Sequence, residues 1–200
     1  MSMSFSKKMY RSYPVQESCV FFRTKEQWGE LSNMSNDFPF VIDGITIHSS
    51  EALYQALKFQ NFPLIQEEIL RQDSAKLAKN IAKKNGDFAC NDKRKHLSYM
   101  GFSLYCKYKA HNEYFSQLLD NTRDKAIVEM SYNDVFWGAT PNGDVLGGIN
   151  ALGRLWMQLR EERLDISIGK ELMSFELIQK EVNYVSTISS YKNTNQIDLI

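Results

Sequence analysis

The chain has 200 residues, 43% of them hydrophobic and 24% charged, a composition that suits one globular domain with a sizeable core. Its 24 basic residues equal its 24 acidic ones, so overall charge indicates no particular partner. No apolar run approaches the roughly 20 residues that span a bilayer, and no hydrophobic stretch follows the N-terminal lysines, so we expect no membrane span, no secretory signal and a cytoplasmic location.

The first half of the chain predicts strands followed by helices. Residues 1–19 show no clear periodicity and indicate an N-terminal extension or an edge element. Val20-Phe21-Phe22 is typical of a short buried strand, and Asp43-Gly44 predicts a tight hairpin turn. Ser49 and Ser50 are N-cap candidates for a helix over residues 51–61, and Pro63 can open a second helix over 63–71. Asp73 or Ser74 predicts the start of a third helix, over about 74–85, which ends at Asn85-Gly86.

The second half continues the helical pattern. It predicts a long helix over residues 92–110, a short helix around 118–119, a strand at 126–128, and helices over 150–160 and about 170–184. Residues 131–148 contain four glycines and a proline and indicate a long, functional loop. We therefore expect an α+β fold, mainly α-helical, as a single domain over 20–162 with a small β-hairpin or sheet, and a C-terminal helix and tail over 163–200.

Polar residues at helical spacing form the first candidate site. Glu51, Gln55 and Lys58 fall at i, i+4 and i+7 and share one helix face. Spacing alone favours a solvent-exposed face with a weak ion pair. The remaining residues of this helix are mostly apolar, which raises the alternative that the polar stripe lines a cleft.

The glycine-rich loop is the second candidate. Trp137 beside Gly138 offers a flat face for a base, and Asp134 supplies a carboxylate for acid–base work or for ribose hydroxyls. Gly147 and Gly148 precede a helix that starts at Asn150, where backbone N–H groups suit phosphate. Equally, the tryptophan belongs to the core, the aspartate to a turn, and the glycines are turn formers.

Cysteines and histidines point to no metal chemistry. Three cysteines without a CxxC spacing make a disulfide framework or a structural zinc site improbable and favour a reducing compartment. The three histidines lack metal-ligand spacing. We expect neither metal nor cofactor.

A basic block lies between Arg71 and Lys109, with ten basic residues against three acidic ones. Such a block suits phosphates or nucleic acid, whereas each lysine by itself is more often part of a solvated surface.

The two candidate sites resemble the NADAR family, over about Phe21 to Arg160. Several short segments, in this order and spacing, carry the resemblance: Phe21-Phe22, Leu31-Ser32-Asn33-Met34, Asp43-Gly44, Ser50-Glu51, Gln55-Ala56-Leu57-Lys58-Phe59, Met100, Lys107, Val128-Glu129, Asn133-Asp134, Trp137-Gly138, Asn150-Ala151-Leu152-Gly153 and Leu159-Arg160. One departure concerns a tryptophan that many relatives carry eight to nine residues before the matched methionine. Here Asp92 stands near that place.

The resemblance implies cleavage of the N-glycosidic bond between a ribose and a base. It implies catalysis by Glu51, Lys58 and Asp134, with Lys58, or as second choice Lys107, forming a Schiff base with the sugar; a salt bridge between Lys58 and Glu51 is the alternative role. It also implies substrate contacts from a set of polar residues, an aromatic residue and glycines: Ser32, Asn33, Gln55, Lys107, Trp137, Gly138, Gly148 and Asn150.

Three functions follow from the resemblance and the charge pattern. The first is removal of ADP-ribose from guanine in nucleic acid or nucleotide, in opposition to an ADP-ribosyltransferase. The second is the same bond chemistry on a ribosylamino-pyrimidine phosphate of riboflavin synthesis. The third is a non-catalytic module that binds ADP-ribose or NAD, which would have no need of the Glu51 and Lys58 pair.

Overall fold

The computed structural model describes residues 9–42 and 44–162. Helices predominate in that part of the chain, and the strands are short, so the fold is α+β as the sequence predicts. The helix expected over 170–184 lies outside the described residues. The elements follow in the order β1 (Arg11–Pro14), β2 (Ser18–Phe21), β3 (Phe40–Ile42), β4 (Ile45–Ile47), α1 (Ser50–Leu57), α2 (Pro63–Leu70), α3 (Ala75–Lys84), α4 (Lys93–Ala110), α5 (Asn112–Asn121), β5 (Ala126–Glu129), β6 (Thr140–Asn142), β7 (Val145–Gly148) and α6 (Ala151–Glu162).

Contacts within the chain define two compact units. Among the described residues, one unit contains the chain up to Ser32 together with the chain from Glu113 onward, and the other contains Asn33–Asn112. None of the helices in the described ranges combines the length and the apolar character needed to cross a membrane.

The first unit holds two small sheets. One is antiparallel with the order β1-β7-β6, and the other is the parallel pair of β2 and β5. β1 is an edge strand, with Arg11 opposite Gly148. The fully buried Trp156 of α6 stacks on Phe115 of α5, with ring centroids 5.4 Å apart, and donates from Nε1 to the Leu31 carbonyl at 2.7 Å.

The predicted long loop over residues 131–148 is wrong in its second half, which forms the hairpin of β6 and β7. Gly143, at φ +59°, lies in the turn between the two strands. A Cβ at Gly147 would overlap the Tyr10 side chain, and one at Gly148 would overlap the backbone of Gly138. Gly147 and Gly148, which indicated a loop, therefore lie in strand β7, where the missing side chain leaves room for these close neighbours.

The second unit is built around α1, which packs against α2, α3, α4 and β4. Every residue of α1 is buried. On α3 the alanines at 75, 78 and 82 face the interior, and the lysines are exposed. The predicted hairpin is confirmed: β3 pairs with β4, Phe40 lies opposite Ile47, and Gly44 adopts φ +78°.

The start of α1 agrees with the cap expected from the sequence, but its end does not. Ser49 caps α1 by accepting a bond from the Ala52 N–H at 3.1 Å. α1 ends at Leu57 rather than Asn61, because the chain tightens at Lys58, whose carbonyl accepts a bond from the Cys90 N–H at 2.7 Å. Asp92 caps α4 through the Arg94 N–H.

Candidate functional site

A carboxylate with hydrogen-bond partners on both oxygens forms the centre of the second unit. Oε2 of Glu51 accepts a bond from Asn33 Nδ2 at 2.5 Å, and Oε1 accepts one from Gln55 Nε2 at 2.7 Å. The Glu51 N–H also donates to the Asn33 carbonyl at 2.9 Å. The expected sharing of one helix face by Glu51 and Gln55 is confirmed, and two amide donors fix the orientation of the carboxylate.

Lys79 of α3 is the ion-pair partner of this carboxylate. Its Nζ lies 3.5 Å from Glu51 Oε1, and the two side chains differ sharply in exposure, 58% for the lysine and 2% for the glutamate. The sequence placed Lys79 in the basic block but not in the site. No spacing rule connects two residues 28 positions apart on different helices, so only the packing of α3 on α1 reveals the contact.

Lys58 lies at the C-terminal end of α1, half-buried, with Nζ 5.2 Å from the centre of the Tyr54 ring. Burial lowers the pKa of its amine; the nearby Glu51 carboxylate opposes that change, and Lys79 adds to it. A lysine in these surroundings carries a larger neutral fraction near pH 7 than a solvated lysine. Among the described residues the ion pair of Glu51 is with Lys79, so the alternative role of Lys58 as its salt-bridge partner gains no support.

Gln55 carries an acceptor that the protein does not use. The side chain is buried, and its Oε1 has no hydrogen-bond partner in the described part of the chain, although its Nε2 is bonded to Glu51. Buried acceptors are nearly always paired, so this oxygen is available to a donor on a ligand that reaches Glu51.

Two more of the predicted contact residues are buried. Lys107 of α4 is fully buried, with Nζ 5.2 Å from the centre of the Phe38 ring. Ser32 follows the short 3-10 turn Gly29–Leu31 in the first unit and donates its N–H to the Gly29 carbonyl at 3.0 Å.

Asp134 organises the loop of the first unit. Its Oδ1 accepts bonds from the Phe136 and Trp137 N–H groups at 2.8 and 2.9 Å, and its own N–H donates to Ser131 Oγ at 3.1 Å. The residue is exposed. The turn role considered for Asp134 is therefore present, and its Oδ2 takes no hydrogen bond from the described residues.

Trp137 is partly exposed, with its ring edge-to-face on Phe136 at 5.0 Å between centroids. Gly138 is buried, and a Cβ there would lie 2.7 Å from the Glu129 carbonyl oxygen. The glycine therefore serves the close approach of this loop to β5.

The backbone N–H groups expected to bind phosphate at the start of α6 are not available. Those of Asn150, Ala151 and Leu152 donate to the carbonyls of residues 138, 136 and 137 at 2.9 to 3.1 Å. The Asn150 side chain is likewise engaged, since Nδ2 donates to Ile127 O at 2.8 Å and Oδ1 accepts from the Glu129 N–H at 3.0 Å. The expectation fails because folding places the loop carbonyls where a phosphate would lie.

The predicted site residues thus fall into two groups. One group, in the second unit, is in direct contact: Asn33, Glu51 and Gln55, with Lys58 close enough for its pKa to respond to Glu51. The other, in the first unit, consists of Asp134 and Trp137, joined by the bond from the Trp137 N–H to Asp134 Oδ1. No three His, Cys, Asp or Glu side chains of the described ranges gather into a group that could hold a metal ion.

Comparison with known proteins defines the class. The NADAR domain matches residues 20–164, most of the chain, and the chain belongs to this family.

The relatives extend this result. The chain is 33% identical over 150 residues to the N-glycosidase YbiA of Shigella boydii, covering 74% of this chain and 90% of the relative. It is 32% identical over 155 residues to the riboflavin biosynthesis protein VVA0006 of Vibrio vulnificus, covering 76% of this chain and 40% of that protein. The NMR structure of Escherichia coli YbiA matches with a TM-score of 0.62 and 29% identity, over 76% of this chain and 91% of that one.

Proposed function

We propose that this chain removes ADP-ribose from guanine, in nucleic acid or in a nucleotide, by hydrolysing the bond between the ribose C1′ and the base. The coarser statement follows from the family and from relatives that are named N-glycosidases: the chain is a hydrolase that acts on N-glycosyl compounds. The choice of ADP-ribosylated guanine goes further, and the observation that carries it is the exposed row of lysines on α3 that reaches Glu51.

The proposed reaction begins at the ribose C1′. The neutral amine of Lys58 forms a bond to C1′, and the C1′–N bond breaks with its electron pair moving to the departing base, which takes up a proton. The ring C–O bond then opens to give an imine between Lys58 and C1′. Water adds to the imine carbon, and the amine leaves, so the net products are ADP-ribose and the unmodified guanine, which remains part of its nucleotide or nucleic acid.

The geometry around Glu51 suits this chemistry. The transition state carries positive charge at the ribose carbon, and a buried carboxylate with a fixed orientation stabilises such charge. The lowered pKa of Lys58 supplies the neutral amine. The unused Gln55 Oε1 offers an acceptor to a ribose hydroxyl or a base N–H. A module that only binds ADP-ribose would require none of this arrangement.

The α3 lysines support a substrate with phosphates. Lys76, Lys79 and Lys83 recur at i, i+3 and i+7, so they lie along one helix face about 10 Å long, and all three are exposed. Lys79 connects that row to the buried carboxylate. A diphosphate such as that of ADP-ribose, or a nucleic acid backbone, has the charge and the length to lie along this row.

Asp134 is proposed as the second catalytic carboxylate on the family resemblance. Its Oδ2 takes no hydrogen bond from the described residues, which leaves one oxygen for a substrate even though Oδ1 organises the loop. An ADP-ribosyltransferase would supply the substrate of such an enzyme, since the modified base must first be made.

The second candidate substrate is a ribosylamino-pyrimidine phosphate. The specific observation in its favour is the name of the Vibrio vulnificus relative, a riboflavin biosynthesis protein. This substrate has the same type of bond to break but a single phosphate, so it would use less of the α3 row.

One experiment separates the two. The full chain is incubated with an oligonucleotide carrying ADP-ribosylated guanine, with ADP-ribosylated guanosine nucleotide and with the ribosylamino-pyrimidine phosphate. The sugar released from each substrate is measured by chromatography. Release of ADP-ribose from either guanine substrate, at a kcat/KM at least about tenfold above that for the pyrimidine, is the expected result. Turnover of the pyrimidine alone would replace the first proposal with the second.

A further inference from the structure

Glu51 has two lysines near it and pairs with one. Lys79 of α3 forms the ion pair, whereas Lys58, directly after the end of α1, has its Nζ 5.2 Å from the centre of the Tyr54 ring. The remaining polar partners of the carboxylate are the amides of Asn33 and Gln55. An exposed lysine therefore neutralises a carboxylate that would otherwise attract the lysine proposed as nucleophile.

We propose that Lys79 is a positioning residue for the reaction: its ion pair with Glu51 keeps that carboxylate from holding Lys58 in the protonated form, and so leaves the Lys58 amine able to attack. This inference rests on the proposed function in one respect, that Lys58 is the reacting amine. This role requires no contact of Lys79 with the ribose or the base.

The electrostatics around Lys58 agree with this assignment. Burial is the main cause of its lowered pKa, Glu51 acts against the change, and the positive charge of Lys79 acts with it. Loss of the Lys79 charge would therefore raise the pKa of Lys58, because one lowering influence is removed while Glu51 still raises that pKa.

The other elements packed on α1 bring different groups. α2 brings the neutral Gln66, which donates to the Ala56 carbonyl at 2.9 Å. α4 brings His96, whose ring lies edge-to-face on Tyr54 at 6.1 Å between centroids. β4 packs the buried, apolar Ile47. The charged groups that act on Lys58 are Glu51 and Lys79.

The test compares three variants of the full chain. Lys79→Met removes the charge, and Lys79→Arg keeps it. Lys76→Met removes a charge from an exposed lysine one turn earlier on α3 and is the matched control. Urea unfolding and circular dichroism establish that each variant is folded. All three leave Glu51, Gln55 and Lys58 in place.

The first measurement needs no turnover. The rate at which Lys58 reacts with an acylating reagent is followed by peptide mass spectrometry as a function of pH, and each rate is divided by its alkaline plateau to correct for accessibility. One lost charge interaction of about 1 kcal/mol predicts a normalised rate near pH 8 that is roughly threefold to tenfold lower in Lys79→Met. Lys79→Arg and Lys76→Met should match the original chain.

The second measurement is the pH profile of kcat/KM on ADP-ribosylated guanosine. Lys79→Met should move the rising limb to higher pH, whereas a purely structural role would lower the rate equally at every pH. The inference is overturned if the pH dependence of Lys58 acylation is unchanged in Lys79→Met, or if it shifts equally in Lys76→Met. A failure of the proposed function is detected separately. In that case borohydride would trap no sugar on Lys58 of the original chain, whatever the labelling shows.

Discussion

Glu51 is a charged side chain that the fold keeps almost wholly from water. Burial of an isolated carboxylate is costly, and here two amide donors and one ammonium group offset that cost. Partners placed on three separate segments hold the carboxylate in a single orientation, which a catalytic group requires.

Glu51→Gln tests the carboxylate with little change in size. The amide loses the negative charge, and we expect kcat to fall by about 100-fold or more. Stability should change little, because Gln55 has an unused Oε1 that can accept from the new amide after a side-chain flip. The measurement pairs turnover with urea unfolding, and Glu67→Gln, in a surface pair with Arg71, is the control. Near-normal turnover in Glu51→Gln would exclude a catalytic role for the residue.

Lys58 separates a covalent route from a purely electrostatic one. Lys58→Arg keeps the positive charge but cannot form an imine, so we expect it to lose activity as completely as Lys58→Ala. In the original chain the neutral amine is the reactive form, so kcat/KM should rise as pH increases through the lowered pKa of Lys58. Borohydride added during turnover should fix sugar to the original chain and to neither variant. Substantial activity in Lys58→Arg, without an adduct on the original chain, would assign the attack to water.

At the scale of elements, α6 depends on close contact with β5. Asn150 adopts φ +53° and bonds to the β5 backbone through both atoms of its amide. One turn further on, Gly153 leaves no room for a side chain: a Cβ would overlap the Ile127 carbonyl and lie 2.6 Å from Asn150 Oδ1. These two residues fix the position of α6 relative to β5. They also fix the loop that contains Trp137, because that loop is hydrogen-bonded to the first turn of α6.

Gly153→Ala tests this packing. Alanine is favoured in helices by about 1 kcal/mol over glycine, yet we expect a net loss of about 2 kcal/mol or more, since the overlap is with backbone that cannot move aside cheaply. Gly86→Ala is the matched control, because nothing lies within 4 Å of its added methyl group. Urea unfolding measures both. Equal stabilities of the two variants would show that α6 can shift away from β5.

The whole chain has no net charge, so any affinity for nucleic acid must come from local surfaces. The exposed side chains of Lys83, Lys84 and Lys95 belong to the same compact unit as Glu51. This arrangement relates the basic block of the sequence to the proposed site.

Neutralising this surface should affect substrates unequally. Changing Lys76, Lys83, Lys84 and Lys95 to glutamine should weaken an ADP-ribosylated oligonucleotide more than an ADP-ribosylated nucleotide. Each phosphate contact that is lost should also flatten the salt dependence of oligonucleotide binding by about one unit of slope. Fluorescence anisotropy at several salt concentrations gives the slope. Unchanged binding of both substrates would identify these lysines as ordinary solvated surface, whereas equal losses on both would assign them to the shared ADP-ribose diphosphate.

The sequence by itself determined the type and order of most elements, because that information is local. Ser49 as a cap, Pro63 at the start of α2 and Gly44 in the hairpin turn act within a few residues. The face shared by Glu51 and Gln55 is likewise fixed by helical periodicity. The family resemblance was also accessible from the sequence, since it depends on the order and spacing of short motifs.

Only the tertiary structure decided the rest. The partnership of Lys79 with Glu51 arises from the packing of α3 on α1, and the loss of the expected phosphate site arises from loop carbonyls that reach the start of α6. The hairpin of β6 and β7 was hidden because glycine disfavours strands unless a neighbour must approach closely, as the Gly138 backbone does at Gly148. In each case the deciding contact joins residues 10 to 28 positions apart on different segments, and such contacts leave no periodic signal in the sequence.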